Sequence, residues 1–178
     1  DVASLVIKDK GGMLELDSHG EVIAARTVDN KTIVAQRDEN GKLVGATIMI
    51  GNNPIRQYQK DGNDWKVNGQ KVDKLNVELT RDGDLVEFIE GNRKKPEFVQ
   101  RLDGTLIRKL EGSTEPRLSG SDHTDVFTYR VENINGEISE YHFNGNRDQP
   151  EVISEGGRRH PDGRIEFKFK YQRMKDSH

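Results

Sequence analysis

The chain contains no cysteine, and it has few aromatic and few hydrophobic residues. Without cysteine it cannot form a disulfide framework, a zinc site built on thiolates or a thiol nucleophile. Aromatic residues make up 6% of the 178 positions and hydrophobic residues 31%, whereas charged residues make up 33%. This composition predicts a thin hydrophobic core, because globular domains usually have a larger apolar share.

An excess of charge of either sign is also missing, since 28 basic residues face 31 acidic ones and the net charge is −3. Such a balance gives no field that would gather nucleic acid, so we predict no nucleic-acid partner. Long apolar runs are missing too. The longest, such as residues 46–50, are far shorter than the roughly 20 residues that cross a bilayer, and we predict no membrane insertion.

The clearest pattern in the chain is a glycine that recurs every 21 residues. The five glycines in register are Gly20, Gly41, Gly62, Gly83 and Gly104. Apolar residues occupy the second and third positions after the glycine in every copy except the third, which has Asp64 followed by the single tryptophan, Trp65. A fixed period of this length indicates one supersecondary unit repeated along the chain. We predict that the repeat resumes after an interruption, with Gly136 and Gly163 as its later turn glycines, and that residues 156–160 form a loop insertion before Gly163.

The residues around these glycines favour β-hairpins. Four Asn-Gly and four Asp-Gly pairs suit tight turns that need a positive φ. Residues 165–171 alternate apolar and polar side chains, and no window of a dozen residues has a helical apolar stripe. For residues 21–27 we favour a strand over a helical turn. The predicted fold is therefore all-β, with consecutive antiparallel hairpins in a 21-residue repeat that forms an elongated twisted sheet or a partly rolled shell.

The predicted domain organisation has three parts. Residues 1–112 form a β-repeat region, residues 113–125 a linker or long loop, and residues 126–178 further β-repeat hairpins. The middle part is polar and offers only Leu118 for burial. We favour an excursion between neighbouring strands of one continuous domain, because the last strands alone would make a marginal domain.

The turn segments resemble a known repeat family. Asp17–Val22 and Asp38–Leu43 share an Asp-x-x-Gly turn, and Pro161–Ile165 reads Pro-Asp-Gly-Arg-Ile before an aromatic strand. These segments resemble the YD (RHS-type) repeats of large bacterial surface and secreted proteins. The resemblance implies a β-hairpin scaffold with a structural or adhesive role, a secreted or cell-surface location, and neighbouring repeats or domains of a parent protein as partners. It carries no catalytic residues.

Candidate catalytic groups are few. Ser119, Asp122 and His123 lie within one predicted loop, whereas a catalytic triad is assembled from rigid, separated elements. The five histidines are scattered without metal-ligand spacing. The third hypothesis is a carboxylate-dependent hydrolase, for which Glu78 and Glu87 on neighbouring strands are one example of a pair, although nothing in the sequence selects that pair. We predict no catalytic residue, no metal, no cofactor and no enzymatic activity.

Trp65 and Tyr58 are the candidate binding residues. Trp65 replaces an aliphatic residue in one copy, so it either fills a wider part of the core or offers a platform for a sugar or a protein. The platform interpretation gives the alternative function, a glycan- or peptide-binding domain that uses Trp65 and neighbouring aromatics. We interpret the basic clusters at residues 93–95 and 158–160 as solvated loop charge. Exposed strand edges predict a homodimer as a further option.

Overall fold

The computed structural model describes residues 2–8, 11–110, 126–144 and 151–171. In these segments the chain forms antiparallel β-strands joined by turns and contains no helix, which confirms the all-β prediction. None of these segments therefore forms a helix that could span a membrane. The loop predicted at residues 113–125 lies outside the described residues, and so do Ser119, Asp122 and His123.

The chain divides into two compact units, Asp1–Thr105 and Leu106–His178. The strands of the first unit are β1 (Ser4–Ile7), β2 (Met13–Leu16), β3 (Val22–Arg26), β4 (Lys31–Arg37), β5 (Leu43–Ile50), β6 (Asn53–Asp61), β7 (Asp64–Val67), β8 (Gln70–Val72), β9 (Leu75–Leu79), β10 (Leu85–Ile89) and β11 (Phe98–Gln100). Those of the second are β12 (Leu106–Lys109), β13 (Val126–Glu132), β14 (Ile138–Asn144), β15 (Glu151–Arg159), β16 (Ile165–Glu166) and β17 (Phe169–Lys170). Residues 21–27, for which a strand was favoured, contain β3.

Strands β1 to β8 form an open meander in which each strand pairs with the next. Because side chains alternate between the faces of a strand, every second residue points toward one side of this sheet. Directly opposed residues on that side are buried and apolar across four strands: Leu14, Ala25, Ile33 and Ile48. This row is the centre of the hydrophobic core of the first unit.

The core is closed on its other side by β9, β10 and β11, which pair antiparallel in that order. Strand β9 lies against β5 and β7 of the meander. Leu75, Val77 and Leu79 alternate with polar residues on β9 and are buried, as is Leu85 on β10. The first unit is thus built of two layers of strands with one thin core between them.

The same turn closes most of the hairpins. At Asp38 the backbone N–H donates to the Lys42 carbonyl at 2.9 Å, and the Gly41 N–H donates to the Asp38 carbonyl at 3.0 Å. The Asp38 carboxylate also accepts from the N–H groups of Asn40 and Lys42 at 2.9 Å. The same pair of backbone bonds, with a glycine at φ between 78° and 94°, recurs at Gly20, Gly83, Gly104, Gly136 and Gly163. The Asp-x-x-Gly pattern therefore has a local cause, since glycine accepts the positive φ and the carboxylate caps the turn.

The third copy keeps the 21-residue spacing but uses a different turn. Asp61 pairs directly with Asp64, which leaves Gly62 and Asn63 as the only loop residues of this hairpin. Gly62 has a φ of 62° and is the first of the two, as in a tight two-residue turn. All seven predicted turn glycines have a positive φ, but Gly62 reaches it in its own geometry.

In the second unit, β12 to β15 pair in chain order, and β16 and β17 both pair with β15. Residues 111–125 connect β12 to β13, which are antiparallel neighbours with Leu106 opposite Glu132. Strand β12 belongs to the second unit, whereas the sequence division placed these residues in the first region.

The prediction of a loop insertion at residues 156–160 is wrong. Strand β15 continues to Arg159, and its register against β14 shifts twice between Ile138 and Tyr141. Gly156 lies inside the strand with a φ of 64°. The extra residues are absorbed as β-bulges, which insert residues into one strand without ending it.

Candidate binding surface

Trp65 and Tyr58, the predicted binding residues, both lie in the core of the first unit. The exposed fraction is 3% for Trp65 and 2% for Tyr58. Tyr58 sits on β6 opposite Ala46 and Val67, and Trp65 sits on β7. A ring with so little exposed area has no face to offer a ligand, so the platform interpretation of these two residues is corrected. Their burial favours the other interpretation, in which Trp65 fills the core.

Tyr58 belongs to a buried polar cluster that the sequence did not indicate. The Tyr58 hydroxyl donates to Oε2 of Glu87 at 2.6 Å. Arg56 donates to the same oxygen from Nη2 at 2.6 Å and from Nε at 3.0 Å. The guanidinium also lies over the Phe98 ring, 4.5 Å from its centroid. The cluster joins β6 of the meander to β10 of the second layer, and Glu87 is only 5% exposed.

The protonation states of this cluster follow from its surroundings. Burial, together with the neighbouring Glu87 carboxylate, raises the pKa of Tyr58 far above its usual value, so the hydroxyl keeps its proton. Burial alone would lower the pKa of Arg56, but the Tyr58 and Glu87 oxygens outweigh it and raise that pKa. The three side chains hydrogen-bond to one another, so the cluster links the two layers.

Glu78 and Glu87, the example of a carboxylate pair for the hydrolase hypothesis, do not lie on the same side of the sheet. Glu87 lies opposite Val77 across the β9–β10 pair, and Glu78 lies opposite Val86. Since opposed residues share a face and neighbouring residues do not, the two carboxylates point to opposite sides of the layer. Glu78 is instead partly exposed and binds Arg93 at 2.8 Å. The two groups cannot flank one scissile bond.

The other charged candidates have partners of their own. Arg158 and Arg159, predicted in a loop, lie at the end of β15. Arg158 donates to the Asn135 carbonyl at 2.7 Å, and Arg159 forms an ion pair with Glu132 at 3.2 Å. In the described part of the chain, no group of three histidine, aspartate or glutamate residues could hold a metal ion.

The outward side of strands β1 to β6 forms a continuous surface, which we call the open face. It consists of two cross-strand rows that alternate with the core positions, and none of its members is buried. The rows are Leu5, Glu15, Ala24, Val34, Thr47 and Gln57, and Ile7, Met13, Arg26, Thr32, Met49 and Pro54.

The composition of the open face differs from that of the whole chain. Glu15 and Arg26 are its only charged members, although a third of all residues in the chain are charged. Its exposed fractions reach 71% at Ile7, 56% at Leu5 and 38% at Val34. An exposed apolar sheet face with so little charge is typical of an interaction surface. In the sequence, residues 2–7 and 43–50 stand out because they contain no charged residue. Which of their side chains point outward could be assigned only from the strand pairing.

Among curated proteins, the chain is similar to collagenase ColQ1 of Bacillus cereus (strain Q1). The two are 31% identical over 109 residues, which cover 53% of this chain and 10% of the collagenase. The chain thus spans a small part of the length of this relative. No protein-family model matches the chain.

Proposed function

We propose that this chain is a non-catalytic adhesive module of a larger bacterial secreted or cell-surface protein, and that the open face binds its target. The observation that carries the proposal is the open face itself. Apolar side chains such as Ile7, Leu5 and Val34 stay exposed there, next to uncharged polar ones. Burying exposed apolar area of this kind on a partner is the main source of binding free energy at such surfaces.

The partial similarity to a collagenase supports an accessory role. The compared stretch occupies a tenth of that protein, which is the extent expected of one module in a long chain. We propose collagen as the target, because the relative is named for its action on collagen. The width of the surface agrees with a rod-like partner, since six strands about 4.8 Å apart make a face about 24 Å wide.

The resemblance to YD repeats stays a prediction, and it is compatible with this proposal. Neighbouring repeats or domains of the parent protein would position the module, while the open face would contact the target. The hairpins themselves are the scaffold, since the same turn recurs along both units.

Binding to immobilised collagen tests the proposal. Ile7→Lys and Val34→Lys each place a charge on the open face. Because burying one such side chain is worth about 1.5–3 kcal/mol, each should weaken binding by about tenfold or more. Ile134→Lys, at a turn residue of the second unit that is 44% exposed, is the matched control and should bind like the wild type.

Melting temperatures measured alongside separate binding from folding, because all three positions are exposed and should leave stability nearly unchanged. The proposal fails if the wild-type chain does not bind collagen. It also fails if both open-face variants bind as tightly as the control.

A further inference from the structure

The second unit contains a cleft that the proposed adhesive role does not use. Its volume is about 620 Å³, and it lies between β15 and the β16–β17 segment. Phe167 and Phe169 form its aromatic walls. Phe169 is 54% exposed, and Tyr171 at the end of the same segment is 50% exposed. Among the side chains that the structure describes, Phe169 and Tyr171 are thus the exposed aromatic ones, whereas Trp65 and Tyr58 are buried.

Two glycines of the β15 bulge shape this cleft. A Cβ on Gly157 would lie 2.7 Å from the Phe167 ring, and a Cβ on Gly156 would lie 2.7 Å from Cβ of Lys168. Only glycine lets the β16–β17 segment approach so closely. The bulge that breaks the regular pairing therefore also lets the Phe167 ring lie against β15.

Hydrogen-bonding groups of both kinds line the same cleft. Its acceptors include the Glu155 carboxylate, which receives the Tyr171 hydroxyl at 2.8 Å, and Glu166, which lies 2.7 Å from Nε2 of His160. Its donors include the side chains of Arg158 and Lys168. Charges of opposite sign are interleaved, so the cleft has no strong preference for an anion or a cation.

We propose that this cleft binds a neutral oligosaccharide. A pyranose ring has apolar C–H faces that stack on an aromatic side chain, and its hydroxyl groups both donate and accept hydrogen bonds. The cleft supplies a matching set, with Phe169 as the stacking surface and Glu155 and Arg158 as acceptor and donor. A few placed polar groups around an apolar wall are the usual composition of a small-ligand site.

Calorimetric titration of the full chain with neutral oligosaccharides tests this inference, using hexamers of glucose, xylose, mannose and N-acetylglucosamine. At least one should bind with a dissociation constant in the millimolar range or tighter. Phe169→Ala should weaken that binding by about tenfold or abolish it. Ile134→Ala, which removes an exposed apolar side chain elsewhere in the same unit, should not change it.

Phe169→Tyr keeps an aromatic face, so it should retain binding within about threefold and separates stacking from a general loss of folding. The inference is overturned if none of the four sugars binds, or if Phe169→Ala binds as well as the wild type. Binding of a peptide in place of every sugar would also overturn it. Because the open face lies in the first unit, Ile7→Lys should bind the sugar normally, so this inference and the adhesive proposal fail independently.

Discussion

Removing one member of the Arg56–Glu87 pair should strongly destabilise the first unit. Glu87→Gln keeps the size of the side chain but removes the negative charge, to which Arg56 and Tyr58 donate hydrogen bonds at 2.6 Å. The guanidinium is then left in the core with 20% of its side chain exposed and without an anionic partner. Breaking a buried pair typically costs 3–5 kcal/mol. Because Arg56 keeps some access to water, we expect about 3 kcal/mol.

Urea unfolding followed by tryptophan fluorescence measures this loss without interference from the second unit. Trp65 is the only tryptophan in the chain, and it is buried in the first unit. The double variant Arg56→Met with Glu87→Leu serves as the matched control, because it removes both charges and keeps the volume apolar. It should be more stable than Glu87→Gln alone, since no unpaired charge remains in the core.

Two results would refute this reasoning. If Glu87→Gln lowers the free energy of unfolding by less than about 1 kcal/mol, the pair behaves like a surface ion pair. If the losses of the two single variants, Arg56→Met and Glu87→Leu, simply add in the double variant, the side chains do not interact.

Two further predictions concern the first unit and use the same fluorescence assay. Gly20→Ala should cost about 1 kcal/mol because of the positive φ at this position. Gly83→Ala should destabilise the unit clearly more, because its new Cβ would lie 2.5 Å from the Leu14 side chain, whereas a Cβ at Gly20 would have no heavy atom within 4 Å. Equal losses of stability in the two variants would contradict this packing argument. Above pH 10 the stability should fall, because the raised pKa keeps Tyr58 protonated in the folded state while the unfolded phenol releases its proton. Tyr58→Phe should reduce this alkaline slope by up to about 1.4 kcal/mol per pH unit, and an unchanged slope would show that Tyr58 titrates normally in the folded state.

The hairpins could be predicted from sequence because their determinants are local. Every hydrogen bond of the Asp38 turn joins residues at most four positions apart, so spacing and residue type specify it. In the third copy, spacing and residue type do not specify the turn. Gly62 fits the register but lies in a two-residue turn, because the pairing of Asp61 with Asp64 is decided by the strands on either side.

The sites could not be predicted in the same way, because they depend on long-range packing. Arg56 and Glu87 are 31 positions apart and meet only when β10 covers the meander. The same packing determines that Trp65 is buried, whereas the sequence was compatible with either a core or a surface position. Glu78 and Glu87 illustrate the same limit, since a shift of one position in pairing decides which face a carboxylate reaches.

The open face and the core of the first unit arise from one and the same alternation. A meander of β1 to β6 needs apolar residues only on the side that β9 to β11 cover, and charges on the other side would be tolerated in solvent. The open face nevertheless carries Leu5, Ile7 and Val34, and the only charges in its two rows are Glu15 and Arg26. Elsewhere the chain does place charge on uncovered positions, for example at Lys71 on the edge strand β8, which is a common defence against unwanted strand pairing. Fold stability does not require apolar residues on the open face, so we propose contact with a partner as the physical reason for them.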